Sequence, residues 1–183
     1  MRHLPNLICL LRLALIWPIA TSLNGGRYRV ALALFIAAAV SDSLDGYLAK
    51  RFGWTSALGR FLDPLADKLL LVTVFVASAW LGLIPWWLTA AVVARDVMIG
   101  LGALIYRLWF GPLYGRPTLL SKVNTGAQLF YVSLVMLYAA LRRPPGEALV
   151  VCAFVTLATT VVSGLHYILT FTRRAWVLPV RSS

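Results

Sequence analysis

Long apolar stretches, separated by short polar ones, run through the whole 183-residue chain. A transmembrane helix needs about 20 consecutive, mostly apolar residues, and six stretches meet this requirement. The connections between them are short, so the pattern predicts an all-α, polytopic membrane protein in which residues 1–183 form a single domain. We predict six transmembrane helices at residues 6–23, 28–50, 60–83, 86–108, 121–140 and 147–170.

The distribution of Lys and Arg predicts the orientation of these spans. Basic residues concentrate in the cytosolic flanks of membrane proteins. If the N-terminus is inside, eleven Lys and Arg residues flank the inner ends of the spans, and only four, Arg27, Arg29, Arg142 and Arg143, flank the outer ends. We therefore predict that both termini are cytosolic. The first apolar run is too long for a removable signal peptide and lacks a small-residue cleavage site. With no targeting extension expected, a bacterial plasma membrane is the predicted location.

The composition agrees with a membrane protein. Hydrophobic residues make up 61% of the chain and charged residues 13%, whereas soluble domains have about 45–50% and about 25%. The mean hydropathy is +0.83, so lipid must cover the apolar excess. The net charge of +11 comes from basic residues that lie between the apolar runs. We therefore expect membrane lipids with anionic headgroups as partners, and no nucleic acid.

The acidic residues are few and concentrated. Of six in the chain, four lie within 26 positions, and we call these four, Asp42, Asp45, Asp63 and Asp67, the aspartate cluster. A charge inside a span costs at least ~2.5–3.5 kcal/mol, and four carboxylates would also repel one another. We therefore expect bound cations to neutralise the aspartate cluster.

The spacing of the cluster predicts a shared site. Asp42 and Asp45 are three residues apart, and Asp63 and Asp67 are four apart, so each pair lies on one helix face. The second span ends and the third begins on the cytosolic side, and we predict that these two spans are antiparallel neighbours. Oxygen ligands without His or Cys suit Mg²⁺, Mn²⁺ or Ca²⁺. Two such ions could clamp a phosphoryl group during its displacement.

Small residues accompany the aspartates. Gly46, Ala49 and Gly59 would let a ligand or a neighbouring helix approach the backbone closely. Together the two sets form a pattern that closely resembles the motif of the CDP-alcohol phosphotransferases, although Lys50 stands where the family motif has Arg. The pattern is Asp42-x₂-Asp45-Gly46-x₂-Ala49-Lys50-x₈-Gly59-x₃-Asp63-x₃-Asp67.

The resemblance implies a reaction and a metal site. Members of that family move a phosphatidyl or related group from a CDP-linked donor to an alcohol and release CMP. By position, Asp42, Asp45 and Asp63 would be metal ligands, while Asp67 would contact metal and accept the proton of the acceptor hydroxyl. The cofactors would be Mg²⁺ or Mn²⁺, as two ions, and the protein a homodimer.

The resemblance also implies a site for the CDP moiety. Lys50, with Arg51 beside it, would act there as a point charge, whereas the family's Arg offers a planar fork. A Pro-Asn pair before the first span would line the cytidine side. The residues implied at this site are Pro5, Asn6, Gly46, Ala49, Lys50, Ser56 and Gly59.

The acceptor is predicted from three stretches, residues 58–71, 94–98 and 117–128, which resemble the CDP-diacylglycerol-type cardiolipin synthases. Phosphatidylglycerophosphate synthases usually have Arg-Glu where this chain has Arg95-Asp96, and a Gly-Lys-x-Lys-Thr pattern where it has residues 121–125. One fewer Lys suits a phosphodiester acceptor. We therefore predict phosphatidylglycerol as the acceptor lipid, with glycerol 3-phosphate as the alternative. The basic residues predicted to surround the acceptor phosphate are Arg95, Arg107, Arg116 and Lys122.

Several alternatives stay open at this point. Arg95 and Asp96 could form a structural ion pair, and Arg12 could snorkel, pair with a motif aspartate or bind substrate. A cation or proton transporter also keeps carboxylates inside membranes, but it predicts acids near the bilayer midplane and broken helices. The aspartate cluster lies at one end of its spans beside basic residues, which suits a phosphate ligand better.

Overall fold

All six apolar stretches form helices in the computed structural model, as expected where backbone groups must find hydrogen-bond partners within their own segment. The structure describes the backbone of residues 4–52, 59–110, 118–142 and 145–177, and the side chains of residues 10–41, 66–105, 109, 118–142 and 145–170. The helices in these described residues are α1 (Leu4–Asn24), α2 (Tyr28–Phe52), α3 (Gly59–Trp80), α4 (Trp86–Phe110), α5 (Leu119–Leu141) and α6 (Gly146–Val177).

The all-α prediction is therefore confirmed, and each predicted span overlaps one helix. α3 ends at Trp80, earlier than predicted, and α6 continues to Val177, beyond the predicted end of the last span. In the described residues, three helices are long and apolar enough to cross a membrane: Trp86–Ile105, Leu119–Leu141 and Gly146–Thr170. Crossing by all six helices and a cytosolic location of both termini stay predictions.

Two tight turns reverse the chain between helices. Gly26, between α1 and α2, has φ of 70°, and Gly82, between α3 and α4, has φ of 71°. Glycine adopts this left-handed conformation without a Cβ clash. The N–H of Arg27 donates to the Ser22 carbonyl at 2.8 Å, and the N–H of Leu83 donates to the Ser78 carbonyl at 2.9 Å. These bonds close each turn, so successive helices run in opposite directions.

α1 and α5 each pack against several other helices. α1 contacts both α2 and α3, and α5 contacts α2, α3 and α6. Over the part of the chain whose side chains are described, α2 and α3 have no direct contact, and both pack on α1. The predicted contact between α2 and α3 concerns the ends that carry the aspartate cluster, where most side chains lie outside those described, so it stays a prediction.

The apolar core lies where α1, α2, α3 and α5 meet. Ile19, Phe35, Phe75 and Met136 are fully or almost fully buried there. The rings of Phe75 in α3 and Tyr131 in α5 lie 6.3 Å apart between centroids and are tilted by 35°, a favourable aromatic geometry. This contact joins α3, which carries half of the aspartate cluster, to the second half of the bundle.

The outer surface of the bundle is also apolar. Leu104, Val151 and Leu169 are more than half exposed, as expected of side chains that face lipid. Trp80 and Trp86 flank the turn between α3 and α4, are 78% and 53% exposed, and meet edge to face with ring centroids 6.3 Å apart. Tryptophan favours the membrane–water interface, so this turn fits one end of a membrane-embedded bundle.

Replacing Phe75 by Ala should lower the free energy of unfolding by ~3–5 kcal/mol, because it opens a cavity in the core. Phe130 in α5 is 60% exposed and provides a matched control, since Phe130→Ala should cost less than ~1 kcal/mol. Both variants can be compared by denaturant unfolding in detergent micelles. Equal losses for the two variants would contradict the core described here.

Candidate active site

The aspartate cluster is divided between two helices at the same end of the bundle. Asp42 and Asp45 lie in roughly the last three turns of α2. Asp63 and Asp67 lie in roughly the first three turns of α3. Six residues connect α2 to α3, and six extended residues span at most ~22 Å. This is too short to return along either helix, so α3 begins at the end of the bundle where α2 finishes.

Asp67 is the member of the cluster whose side chain the structure describes. Its carboxylate Oδ1 accepts a hydrogen bond from Arg12 Nη1 of α1, and the two side chains form an ion pair. The Arg12 side chain is only 2% exposed, whereas the Asp67 side chain is 41% exposed. Arg12 therefore approaches from within the bundle and leaves Asp67 accessible from outside.

Arg12 and Asp67 lie at the same distance from the starts of their helices. Arg12 lies eight residues after the start of α1, and Asp67 lies eight residues after the start of α3. At the rise of an α-helix this places both about 12 Å above the helix starts. Since α2 reverses the chain between them, α1 and α3 run in the same direction. The sequence left open whether Arg12 pairs with a motif aspartate, and the structure gives that pairing.

A second set of charges lies on another face of α3, the one that meets α4. Lys68 Nζ donates to Asp96 Oδ1 at 2.6 Å, and Arg95 Nη1 donates to the same oxygen at 2.7 Å. We call Lys68, Arg95 and Asp96 the charge trio. Arg95 and Asp96 are almost completely buried, and Lys68 is about one-third exposed. Two cations thus share one carboxylate, and the charge trio carries a net charge of +1.

Hydroxyl groups of two other helices accept hydrogen bonds from the second terminal nitrogen of Arg95. Its Nη2 donates to Ser121 Oγ of α5 at 3.0 Å and to Ser163 Oγ of α6 at 2.5 Å. α5 begins close to this point, where the Thr118 hydroxyl accepts a hydrogen bond from the Ser121 N–H at the N-cap. Arg95 therefore ties the start of α5 to α4 and α6.

A third polar cluster continues along the interface of α5 and α6. Asn124 is fully buried, and its Oδ1 accepts hydrogen bonds from the Thr160 and Thr159 hydroxyls at 2.9 and 3.1 Å. Asn124 lies one helical turn after Ser121, on the same face of α5. Asn124 thus adds a second polar contact between α5 and α6, one helical turn beyond the Ser121 hydroxyl.

The structure places the predicted acceptor residues in different surroundings. Arg95 is buried in the charge trio, so the structural ion pair that the sequence left open is present. Lys122 is exposed on the first turn of α5. Arg107 lies near the end of α4, with a side chain outside those described, and Arg116 lies outside the described residues. A shared acceptor phosphate among the four stays a prediction.

The predicted CDP-binding residues are placed by backbone only. Pro5 and Asn6 lie in the first turn of α1, and Gly59 is the first residue of α3. Ser56 lies outside the described residues. Three others share the last half of α2, namely Gly46, Ala49 and Lys50. Apart from Ser56, these positions lie at the end of the bundle that carries the aspartate cluster.

The residues fit a divalent metal by their chemistry. Asp67 presents a carboxylate, the ligand type that Mg²⁺ and Mn²⁺ prefer, and it is accessible to an ion from outside the bundle. The side chains of Asp42, Asp45 and Asp63 lie outside those described. Within the described side chains, no three His, Cys, Asp or Glu residues lie together.

The sequence did not predict Lys68 as a partner of Asp96, or Ser163 and Asn124 as polar contacts between the helices. One signal was available, because Asp96 is an acid inside an apolar run and such a residue needs a partner. Lys68 directly follows Asp67 and therefore had to face a different neighbour of α3. The Ser163 hydroxyl and the Asn124 amide carried no comparable signal in the sequence.

Comparison with known proteins decides the family. A sequence profile of the CDP-alcohol phosphatidyltransferases matches residues 2–165. The chain belongs to the CDP-alcohol phosphatidyltransferase family. Its members are enzymes of phospholipid synthesis, so family membership favours a transferase over the alternative of a cation or proton transporter.

Relatives within the CDP-alcohol phosphatidyltransferase family bear two kinds of name. Cardiolipin synthase (CMP-forming) of Rattus norvegicus is 32% identical over 184 residues, which cover 90% of this chain and 61% of the rat protein. A probable phosphatidylglycerophosphate synthase of Mycobacterium tuberculosis is 30% identical, covering 91% of this chain and 80% of that protein. CDP-diacylglycerol–glycerol-3-phosphate 3-phosphatidyltransferase of Bacillus subtilis is 33% identical, covering 91% and 94%.

Replacing Asp96 by Asn should lower the free energy of unfolding by ~3–5 kcal/mol, because it leaves the buried Arg95 guanidinium without its anion. Lys68 is partly exposed and should contribute little to this loss. Glu147→Gln is the control, since Glu147 is an exposed acid in the first turn of α6 and its loss should cost less than ~1 kcal/mol. Unfolding in detergent micelles measures both. A loss in Asp96→Asn no larger than in the control would show that the charge trio does not stabilise the bundle.

Proposed function

We propose that this protein is an integral membrane enzyme that transfers a phosphatidyl group from CDP-diacylglycerol to an alcohol and releases CMP. The observation that carries the proposal is the Asp67 carboxylate, which stands at the last position of the family's motif. It is held by a buried arginine and is accessible from outside the bundle. A proton acceptor must be both positioned and reachable by its substrate, and Asp67 meets both conditions.

The proposed reaction is a displacement at phosphorus. The hydroxyl oxygen of the acceptor forms a bond to the phosphorus that carries diacylglycerol, the bond from that phosphorus to the CMP oxygen breaks, and CMP leaves with the electron pair. Asp67 receives the proton of the hydroxyl. Lys50, at the end of α2, would attract the donor pyrophosphate electrostatically, with Arg51 beside it.

The aspartate cluster is proposed to hold two Mg²⁺ or Mn²⁺ ions. Asp42, Asp45 and Asp63 would be ligands, and Asp67 would be both ligand and proton acceptor. Bound ions would supply charge neutralisation for the donor pyrophosphate and the leaving CMP. A carboxylate beside a cation is a weak base, so Asp67 would receive the proton late in the displacement.

Phosphatidylglycerol is the proposed acceptor, which would make the product cardiolipin. The charge trio supports this choice, because its net charge of +1 matches the single negative charge of a phosphodiester. The guanidinium of Arg95 already donates hydrogen bonds to Asp96, Ser121 and Ser163. It therefore has fewer N–H groups left to bind the phosphate of a more anionic monoester. Glycerol 3-phosphate is the second candidate, favoured by the near-complete coverage of the Bacillus subtilis relative.

Family membership and three long apolar helices support an integral membrane location. The distribution of Lys and Arg supports six spans with both termini cytosolic, which would place the aspartate cluster on the cytosolic side. A bacterial plasma membrane and a homodimer complete the proposal. The homodimer rests on the resemblance to the family.

An acceptor assay tests the proposed reaction. Purified protein in mixed micelles receives CDP-diacylglycerol, Mn²⁺ and either phosphatidylglycerol or glycerol 3-phosphate, and CMP and the lipid product are measured. We expect CMP and cardiolipin with phosphatidylglycerol, and neither product with glycerol 3-phosphate. Phosphatidylglycerophosphate formed from glycerol 3-phosphate would overturn the acceptor, and no CMP with either would overturn the reaction.

Three controls belong to this assay. Asp67→Asn should reduce the rate of CMP release by about 10²–10⁴-fold, the usual contribution of a positioned proton acceptor. Glu147→Gln removes an exposed acid far along the chain from the cluster and should leave the rate unchanged. Excess chelator should stop the reaction, and added Mg²⁺ or Mn²⁺ should restore it.

A further inference from the structure

Two buried amide side chains on one face of α5 have polar atoms to spare. Asn124 and Gln128 are both 0% exposed, and we call them the amide pair. The Nδ2 of Asn124 and both polar atoms of Gln128, Nε2 and Oε1, have no hydrogen-bond partner among the residues that the structure describes. Leaving a buried polar atom unpaired is unfavourable, so proteins satisfy nearly all such atoms. The amide pair therefore has the capacity to bind a polar ligand.

The amide pair lies deeper in the bundle than the charge trio. Its members follow Ser121 by three and seven residues, so all three share one face of α5. Ser121 accepts a hydrogen bond from Arg95 of the charge trio at 3.0 Å. One turn beyond the amide pair, the same face carries Tyr131, whose ring centroid lies 6.3 Å from that of Phe75 in α3. Along α5, the amide pair thus lies between the charge trio and the contact with α3.

This position is close in depth to the proposed proton acceptor. α3 and α5 run in the same direction, because α4 reverses the chain between them. Gln128 precedes Tyr131 by three residues, and Asp67 precedes Phe75 by eight. At the rise of an α-helix, Gln128 and Asp67 are then about 8 Å apart along the bundle axis. A three-carbon alcohol with a hydrogen bond at each end spans a distance of this order. Lys68, which follows Asp67, is about one-third exposed, so the row of polar groups reaches the outside there.

The chemistry of an amide indicates the class of ligand. An amide offers N–H donors and an oxygen acceptor without a charge, which suits a hydroxyl group, since a hydroxyl also donates and accepts. The two proposed acceptors, phosphatidylglycerol and glycerol 3-phosphate, share a glycerol group with one hydroxyl that reacts and a second that does not. We propose that the amide pair binds the second hydroxyl of a glycerol-type acceptor while the reacting hydroxyl lies at Asp67. This inference rests on the proposed function and makes Gln128 a residue that determines acceptor specificity.

Acceptors with and without the second hydroxyl test the inference. Phosphatidylglycerol is compared with phosphatidyl-1,3-propanediol, and glycerol 3-phosphate with 3-hydroxypropyl phosphate, so that the two comparisons distinguish a lipid acceptor from a free phosphate. We expect the unaltered protein to prefer the acceptor with the second hydroxyl by about 10²-fold in kcat/KM, because the other acceptor leaves a buried amide unpaired.

Gln128→Met keeps the size of the side chain and removes the amide. It should reduce the preference to less than about threefold and leave the KM for CDP-diacylglycerol unchanged. Any effect of the second hydroxyl on the reactivity of the first is the same in both proteins and cancels in this comparison. Gln128→Asn keeps the amide one methylene further back and should retain a preference of about tenfold. It replaces Gln128→Met as the test if that variant does not fold.

Ser133→Ala is the matched control on the same helix. The Ser133 hydroxyl donates to the Leu129 carbonyl of its own helix at 2.8 Å, so its loss should leave the full preference for the second hydroxyl. Circular dichroism establishes that each variant keeps its helices. A loss of preference in Ser133→Ala would reveal a general effect of changes in α5 and would overturn the inference.

The remaining outcomes separate this inference from the proposed function. If the unaltered protein shows no preference, or if folded Gln128→Met or its replacement keeps all of it, the amide pair does not bind the acceptor and only the inference is wrong. An equal loss of rate with both acceptors would show that the amide pair holds ordered water or positions the helices, and would also overturn the inference. If the unaltered protein releases no CMP with any of the four acceptors, the proposed function itself fails.

Discussion

The ion pair between Arg12 and Asp67 is the contact on which the arrangement of the first three helices depends. A charge inside an apolar bundle must have a partner, because water cannot reach it. Arg12 is buried, so α1 must lie where its guanidinium reaches a carboxylate, and α3 supplies one at the same height. This requirement fits the observation that α1 packs against α3 as well as α2.

α3 extends the same constraint to the rest of the bundle. Its consecutive residues Asp67 and Lys68 carry opposite charges and face different neighbours, α1 and α4. On α4, Asp96 binds both Lys68 and Arg95, and Arg95 in turn donates to α5 and α6. A single path of charged and polar groups therefore crosses five helices. The groups proposed to carry out the chemistry and the groups that position the helices lie on the same path.

The sequence predicted the helices and the helix positions of the aspartates, but not the contacts around them. The helices and the division of the aspartate cluster followed from apolar length and from spacing, which depend on local structure. The partner of Arg12 and the packing of both α2 and α3 on α1 depend on how helices pack, and periodicity alone contains no such information. Ser163 and Asn124 were missed because a small polar residue in an apolar helix often bonds its own backbone, as the Thr170 hydroxyl does with the His166 carbonyl.

Asp67 is proposed to belong to a metal site assembled from the aspartate cluster. A crystal structure grown with Mn²⁺ and CDP, with the ions located by anomalous scattering, tests it most directly. We expect ions bonded to Asp67 together with Asp42, Asp45 and Asp63, at the ~2.0–2.6 Å typical of divalent cations on oxygen. Mn²⁺ found elsewhere, with Asp67 still paired only to protein groups, would contradict it.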